Sequence, residues 1–227
     1  MYTKVIIKIS GEALSNGIDP ICFDTVDKTA AVIKEAHLAG VKLGLVVGGG
    51  NVVRGRNAKA QNRNRMDQMG MLATAINSLA LQDSLLRMGV PCRVFSAVAM
   101  NRFCDEYSSR AANAAVDSGE VVIFACGTGS PFFSTDTAAA LRACEIGAQA
   151  MLLAKNIDAV YSADPKLDPN AIRYSHLSYD EVIERGLRAT DLTAITMCRE
   201  QSIPIMLFAL ERLCDVVSGK DCGTLID

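Results

Sequence analysis

The chain has 227 residues, half of them hydrophobic, only 5% aromatic and none of them Trp, so its core must be built from Val, Ile, Leu, Ala and Met, as in an α/β layer protein. A net charge of −2 at pH 7 excludes general nucleic-acid binding, which needs a basic face to release counterions. No apolar run reaches the ~18 residues of a membrane span, and the eight cysteines never form Cys-x-x-Cys or sit beside His at zinc spacing. The expectation is a reduced, cytoplasmic protein with no metal ligand set, folded as one domain over residues 1–227.

In chain order, Val5–Ile9 reads as a strand, interrupted by Lys8. Asp24 is the expected N-cap of a helix whose Val26, Ala30 and Ile33 keep helical spacing and which Gly40 closes. Lys42–Val47 is a second strand, and Met66–Met88 a long helix with Met69, Leu72, Ile76 and Leu79 on one face and Gly89 as its stop. Pro91 opens a strand at Cys92–Ser96, and Ser108–Ser118 is a helix ended by Gly119. The continuous apolar run Val121–Cys126 predicts a strand covered on both faces. A helix over Thr135–Ile146, closed by Gly147, precedes a buried strand at Ala150–Ala154.

From Tyr161 to Tyr174, Asp164-Pro165 and Asp168-Pro169 exclude a helix and mark a loop. Ser178 and Glu181 spell a capping box for a helix reaching Gly186. A helix near Asp191–Gln201, a strand at Ile205–Phe208, a helix near Glu211–Val217 and a short strand at Thr224–Ile226 complete the chain. This alternation predicts a three-layer αβα sandwich around a mainly parallel sheet, whose ligands bind beyond the carboxyl ends of the strands.

Four segments that follow strands carry the chemistry. Lys8-Ile9-Ser10-Gly11 places a lysine inside an apolar strand, where it needs an anionic partner unless the strand lies at an edge. Residues 46–55 run into Gly48, Gly49, Gly50 and then Arg54. Positive φ at the glycines would bring their N–H groups to a phosphate, although the same glycines also serve a plain tight turn. Residues 51–65 carry Arg54, Arg56, Lys59, Arg63 and Arg65 and no acid. The segment Gly127-Thr128-Gly129-Ser130-Pro131-Phe132-Phe133-Ser134-Thr135-Asp136 is rich in backbone donors and hydroxyls, and Lys155-Asn156-Ile157-Asp158 leads into the loop with Tyr161 and Asp164. Two glycine turns and a buried lysine at one sheet edge suit phosphoryl transfer, which is mostly positioning and charge neutralisation. Neither a Walker A loop nor Gly-x-Gly-x-x-Gly is present.

The motifs at 8–14, 47–55, 67–74 (Asp-Gln-Met-Gly-Met-Leu-Ala-Thr), 127–136 and 161–165 (Tyr-Ser-Ala-Asp-Pro) resemble bacterial-type uridylate (UMP) kinases of the amino-acid-kinase superfamily, over nearly the whole chain. The resemblance implies an enzyme transferring the γ-phosphoryl of ATP to UMP, with Mg²⁺ arriving on ATP and the chains assembled as a hexamer. It implies ATP contacts at Lys8, Ile9, Ser10, Gly11, Gly50, Arg54, Lys155, Asn156, Tyr161 and Asp164, with Lys8, Arg54, Asp136 and Asp191 as catalytic residues. On the UMP side it implies Gly49, Asp67 for the ribose hydroxyls, and Thr128, Gly129, Ser130, Pro131, Phe132, Phe133, Ser134 and Thr135 around uracil and its phosphate.

Each residue also has a structural alternative. Asp136 and Asp191 stand where helix N-caps belong, Asp67 suits a helix dipole, and Tyr161 suits a half-buried aromatic. His37 and His176 are assigned to structure or surface, and Met66, Met69, Met71 and Met88 to the core or subunit contacts. Against the family pattern, the loop after Leu14 is short where GTP activation is placed, Ala159 replaces a glycine, and Thr190 replaces a methionine before Asp191. These departures are expected to modulate activity. Rival readings are a superfamily member acting on a small acid and a silent nucleotide-binding regulator.

Overall fold

The computed structural model describes residues 1–53, 62–165, 167–187 and 189–227. Its strands are β1 (Lys4–Ile9), β2 (Lys42–Val47), β3 (Cys92–Ser96), β4 (Asp105–Glu106), β5 (Val121–Ala125), β6 (Met151–Lys155), β7 (Val160–Tyr161), β8 (Arg173–Tyr174), β9 (His176–Leu177), β10 (Ile205–Ala209) and β11 (Thr224–Ile226). The helices are α1 (Phe23–Leu38), α2 (Arg63–Arg87), α3 (Ser109–Asp117), α4 (Thr135–Ile146), α5 (Tyr179–Glu184), α6 (Leu192–Glu200) and α7 (Leu213–Val217). Nine strands form one sheet in the order β4-β3-β5-β2-β1-β6-β10-β11-β9, parallel except where β10 meets β11. The expected three-layer αβα sandwich is therefore the observed one.

Strand alternation sorts the core into two layers. Val5, Ile7 and Ile9 of β1 join Val26, Ala30 and Ile33 of α1, Leu81 and Leu85 of α2, and Leu213 and Val216 of α7. Ile6 points the other way, toward Ala139, Ala143 and Ile146 of α4 and the apolar faces of α3, α5 and α6. Lys4 and Lys8 share the Ile6 face. Lys4 donates to the Ile146 carbonyl at the C-terminus of α4, at 3.1 Å, and Lys8 meets the first turn of the same helix. β1 lies between β2 and β6 in the middle of the sheet, so the edge reading of Lys8 is excluded.

The structure revises several local expectations. Cys22, not Asp24, precedes α1, and it makes no side-chain cap; Asp24 lies in the first turn, where its charge favours the helix dipole. α2 begins at Arg63, three residues earlier than expected, because the Asn62 side chain accepts from the N–H groups of Asn64 and Arg65. Its apolar stripe of Met69, Leu72 and Ile76 faces outward, while the buried face is Ala73, Thr74, Ala75, Asn77, Ser78, Leu81, Ser84 and Leu85. Small and self-satisfied side chains are needed there: Asn77 donates to the Gly48 carbonyl at 2.7 Å and Ser78 to the Thr74 carbonyl at 2.7 Å. The two-residue strands β4, β7, β8 and β9 are too short to show a period, and β7 pairs with β8 as an antiparallel ribbon flanking the 161–174 loop. The capping box is present, with Glu181 N–H on Ser178 Oγ at 3.1 Å and Ser178 N–H on Glu181 Oε2 at 2.9 Å.

None of Gly48, Gly49 and Gly50 has a positive φ, so the turn does not need left-handed backbone; Gly48 and Gly49 serve close approach instead. A Cβ on Gly49 would stand 2.8 Å from the Gly70 carbonyl oxygen and 2.9 Å from Ala73 Cβ, so α2 could not pack where it does. Gly49→Ala is expected to destabilise the fold by about 1–3 kcal/mol through overpacking. Among the described residues a methyl on Gly50 would meet nothing within 4 Å, so Gly50→Ala is expected to lower the thermal midpoint far less than Gly49→Ala. Calorimetric melts of the two variants check the contrast.

Candidate active site

The chain leaves β1 toward β2 on one side and returns later to place β6 on the other, which makes the β1/β6 boundary a switch point with a crevice at the strands' carboxyl ends. Lys8 and Lys155 stand at that boundary, at the ends of β1 and β6. Lys8 Nζ is 2.9 Å from Asp136 Oδ1 and Lys155 Nζ is 3.3 Å from Oδ2, with side-chain exposures of 10% and 24% against 13% for the aspartate. The Thr190 hydroxyl donates to Oδ2 at 2.7 Å. Burial alone would raise the Asp136 pKa. The charges of Lys8 and Lys155, helped by hydrogen bonds from Lys8 and Thr190, outweigh it and bring the value down to about 2. Two ammonium groups around one carboxylate leave the centre with a surplus of positive charge.

Asp136 is not a helix cap. Ser134 takes that role for α4, its Oγ accepting from the N–H groups of Asp136 and Thr137 at 3.0 and 3.1 Å. Asp191 does cap α6, accepting from Ala194 N–H at 2.9 Å, and it also accepts the hydroxyls of Thr137, at 2.9 Å, and Ser134. Its two oxygens thus tie α6 to the first turn of α4.

Lys8, Ser10, Gly11, Gly48, Gly49, Gly50, Lys155 and Asn156 line the crevice together, with Glu12, Thr135 and Ile157. Gly11 opens a 3₁₀ turn directly after β1. Among the described residues the buried Ser10 hydroxyl has no hydrogen-bond partner, and a phosphate oxygen would satisfy it. Asn156 donates to Glu12 at 3.3 Å on the rim. Ile9 packs into the α1/α2 core and is not part of the crevice lining. Arg54 lies outside the described residues.

A second cavity opens on the far side of the glycine turn. Gly49, Asp67, Thr128, Ser130, Phe133, Ser134 and Thr135 line it, together with Arg63, Gly70, Thr74 and Cys126. Asp67 accepts from Arg63 Nε at 2.8 Å on each oxygen and from Phe132 N–H at 2.8 Å, so it joins α2 to the 127–135 loop. Gly129, Pro131 and Phe132 belong to this loop but not to the cavity wall, and the exposed Phe132 ring lies 5.8 Å from the Arg63 guanidinium carbon. Four residues here are left-handed: Cys126 (φ 63°), Gly127 (60°), Gly129 (81°) and Phe132 (72°). Such backbone persists at non-glycine positions only where the surroundings over-determine it. The Cys126 N–H donates to Thr74 Oγ1 at 2.8 Å, and Arg142 donates to the Gly127 carbonyl at 3.1 Å. Arg142 has no place in the sequence reading, since it lies inside a helix with no motif to single it out; Arg63 enters it only as one of the basic residues of 51–65, and Thr74 only as the last residue of the 67–74 motif, neither with a role.

Tyr161, Asp164 and Pro165 line a third cavity with Ile157, Val160, Leu187, Ala189 and Leu207. The half-buried Tyr161 donates its hydroxyl to Asp158 at 2.9 Å, and Arg173 donates to the other oxygen of Asp158 at 3.1 Å. Ala159 is fully buried and has no positive φ, so its backbone does not call for a glycine there. The three cavities are contiguous. Ile157 borders both the third cavity and the lysine crevice, while Gly49, Gly50 and Thr135 border both the crevice and the second cavity. Among the described residues, no three His, Cys, Asp or Glu side chains converge as a metal cage.

A family model described as "Amino acid kinase family" matches residues 3–209, and the chain belongs to that family. It is 47% identical over 234 residues to a protein of Brucella anthropi named "Uridylate kinase", covering 99% of this chain and 96% of that relative. Identity is 50% over 215 residues to a protein of the same name from Chelativorans sp. strain BNC1, covering 92% and 86%. Among solved structures, the fold superposes on a UMP kinase from Bacillus anthracis with a TM-score of 0.94 at 32% identity, over 100% of this chain and 96% of that one. The UMP kinase of Ureaplasma parvum gives 0.93 at 34% identity, over 100% and 99%.

Because the folded-state pKa of Asp136 is lowered, its ionised form contributes stability that is complete above the unfolded value near 4 and is lost as pH falls toward about 2. Asp136→Asn leaves two lysines without their counter-charge and is expected to cost roughly 3–5 kcal/mol at pH 7. Urea titrations should show the gap to the parent protein narrowing as pH is lowered from about 4 toward about 2.

Proposed function

We propose that the chain is a nucleoside monophosphate kinase that transfers the γ-phosphoryl of MgATP to UMP, giving UDP and ADP. One observation carries this reading: three contiguous cavities meet at a lysine-flanked, glycine-lined crevice, in a chain 47–50% identical to uridylate kinases. Two nucleotides laid end to end would fill the row, with a base at each outer cavity and their phosphates converging between.

In this reading the adenine nucleotide lies along Tyr161 and Asp164, with Asn156 beside it. Its phosphates rest on the 8–11 turn and Gly50, and Arg54 joins them on the strength of the resemblance alone. UMP occupies the second cavity, its phosphate against Gly49 and its uracil against the amides and hydroxyls of residues 128–135. A carboxylate has about four acceptor sites, and Arg63 and Phe132 leave Asp67 room for a ribose hydroxyl.

Phosphoryl transfer asks for in-line placement and for positive charge on the group in transit. Lys8 and Lys155 supply that charge. Asp136, ionised and ion-paired, organises the two ammonium groups and is too weak a base to take a proton. No strong base is required, since a phosphate monoester with a second pKa near ~6 is largely dianionic at pH 7. Mg²⁺ enters as part of the substrate MgATP, held chiefly by phosphate oxygens. Asp191 acts through the α4 N-terminus as a positioning residue.

We assign the chain a cytoplasmic, homo-oligomeric state, a hexamer by resemblance. The eight free cysteines suit a reducing compartment, and no described helix is long and apolar enough to cross a membrane. The outward stripe of Met69, Leu72 and Ile76 on α2 supports burial against a second copy. Light scattering of the purified protein is expected to report an oligomer, and Leu72→Glu to yield smaller species; a monomeric parent protein would overturn the assembly.

An ADP-release assay over UMP, CMP, dUMP, carbamate and glutamate tests the activity, with turnover expected on UMP. Turnover on another acceptor and none on UMP would refute it. Lys8→Ala should lower kcat by roughly 10²-fold or more while circular dichroism stays native.

A further inference from the structure

Asp136 offers two oxygens to three donors, and the shortest contact comes from a neutral one. Lys8 Nζ sits 2.9 Å from Oδ1, whereas Oδ2 is shared by Thr190 Oγ1 at 2.7 Å and Lys155 Nζ at 3.3 Å. A hydroxyl satisfies a carboxylate lone pair without committing a charge to it. Lys155 is thereby left at the outer edge of hydrogen-bond range, partly exposed on the crevice wall. The neighbouring carboxylate, Asp191, does not compete for it, being occupied by Ala194, Thr137 and Ser134.

We infer that Thr190 is a positioning residue for the transfer step: its hydroxyl fixes the orientation of the Asp136 carboxylate and, by occupying Oδ2, keeps the Lys155 ammonium free to meet the nucleotide phosphates. The inference rests on the reading of the crevice as the phosphate site. Thr190 itself lines none of the three cavities described, although Leu187 and Ala189 just before it form part of the wall beside Tyr161. Without the hydroxyl, Oδ2 turns wholly to Lys155 and draws that ammonium back toward the carboxylate. The rate then falls, while the cavity that holds the acceptor, walled by Asp67 and residues 126–135, is untouched.

Steady-state kinetics of the full-length protein with Thr190→Val and Thr190→Ser test this, since valine keeps the shape without the hydroxyl and serine keeps the hydroxyl without the methyl. Thr190→Val is expected to lower kcat about tenfold or more, the scale of a lost hydrogen bond to a charged group. Its KM for UMP should stay within about twofold of the parent, and Thr190→Ser should retain most of the rate. An unchanged kcat in Thr190→Val, or an equal loss in Thr190→Ser, would overturn the role. Should Thr190→Val not fold, Thr190→Ala set against Thr190→Ser makes the same comparison. Asp136→Asn is measured alongside: a parent-like rate there would overturn the site reading itself, whereas its loss beside an active Thr190→Val would overturn only the role of Thr190.

Discussion

A lysine in the middle strand of a nine-stranded sheet is the constraint on which the rest of this structure depends. Lys8 is almost wholly buried on β1, so a carboxylate must come to it, and α4 is the element that brings one to that end of the strand. The first turn of α4 therefore has to end at the carboxyl edge of the sheet, with Asp136 aimed inward. Everything around it secures that placement: Ser134 caps the helix, Asp191 ties the cap to α6, and Lys4 holds the Ile146 carbonyl at the other end. A buried ion pair of this kind is a poor source of net stability, since desolvation offsets most of the attraction. In the proposed reading its value lies in keeping a cationic centre preorganised, so that little reorganisation is needed when negative charge arrives.

The second constraint is the closeness of backbone to backbone around the glycine turn. Gly11 and Gly48 face each other, with a Cβ on Gly48 falling 3.2 Å from Gly11 N, and Gly49 sits under α2. That packing explains why the part of α2 beside the turn carries Ala73, Thr74 and Asn77 inward, whereas Leu81 and Leu85 fill the core further along the helix. The Asn77 amide, fully buried, bridges the Gly48 carbonyl and Asn51, and Asn51 in turn holds the Pro20 carbonyl. One polar thread thus links the loop after β1, the glycine turn and the helix that carries Asp67.

The sheet and its helices were largely legible in the sequence because apolar strands, capping residues and closing glycines mark them locally. Lys8 was legible as a buried charge for the same reason. What stayed hidden depends on distance in sequence. Local pattern leaves Asp136 open between a helix cap and the catalytic role that the resemblance implies, until Lys8 and Lys155 are seen beside it, and the three belong to different elements of the chain. The α2 stripe of Met69, Leu72, Ile76 and Leu79 carries a correct helical period, but the sequence did not say which way it faces: Leu79 packs on the core and the other three are exposed, since periodicity reports an apolar side but not what covers it. The left-handed backbone expected at the glycine turn is not what Gly48 and Gly49 provide, since close packing is what they serve. Thr74 and Arg142, which hold the left-handed backbone of Cys126 and Gly127, leave no trace in local pattern.

The alternation of β1 has a consequence for how this chain can change. Its odd positions fill one layer and its even positions carry the two lysines, so the strand is read in steps of two. Inserting or deleting one residue within it would reverse that parity, sending Lys8 into the aliphatic layer of α1 and α2 and a bulky isoleucine against Asp136. Length variation is therefore barred from β1, whereas the exposed loop that follows Leu14, around Gly17 and Ile18, is free to grow or shrink without disturbing it.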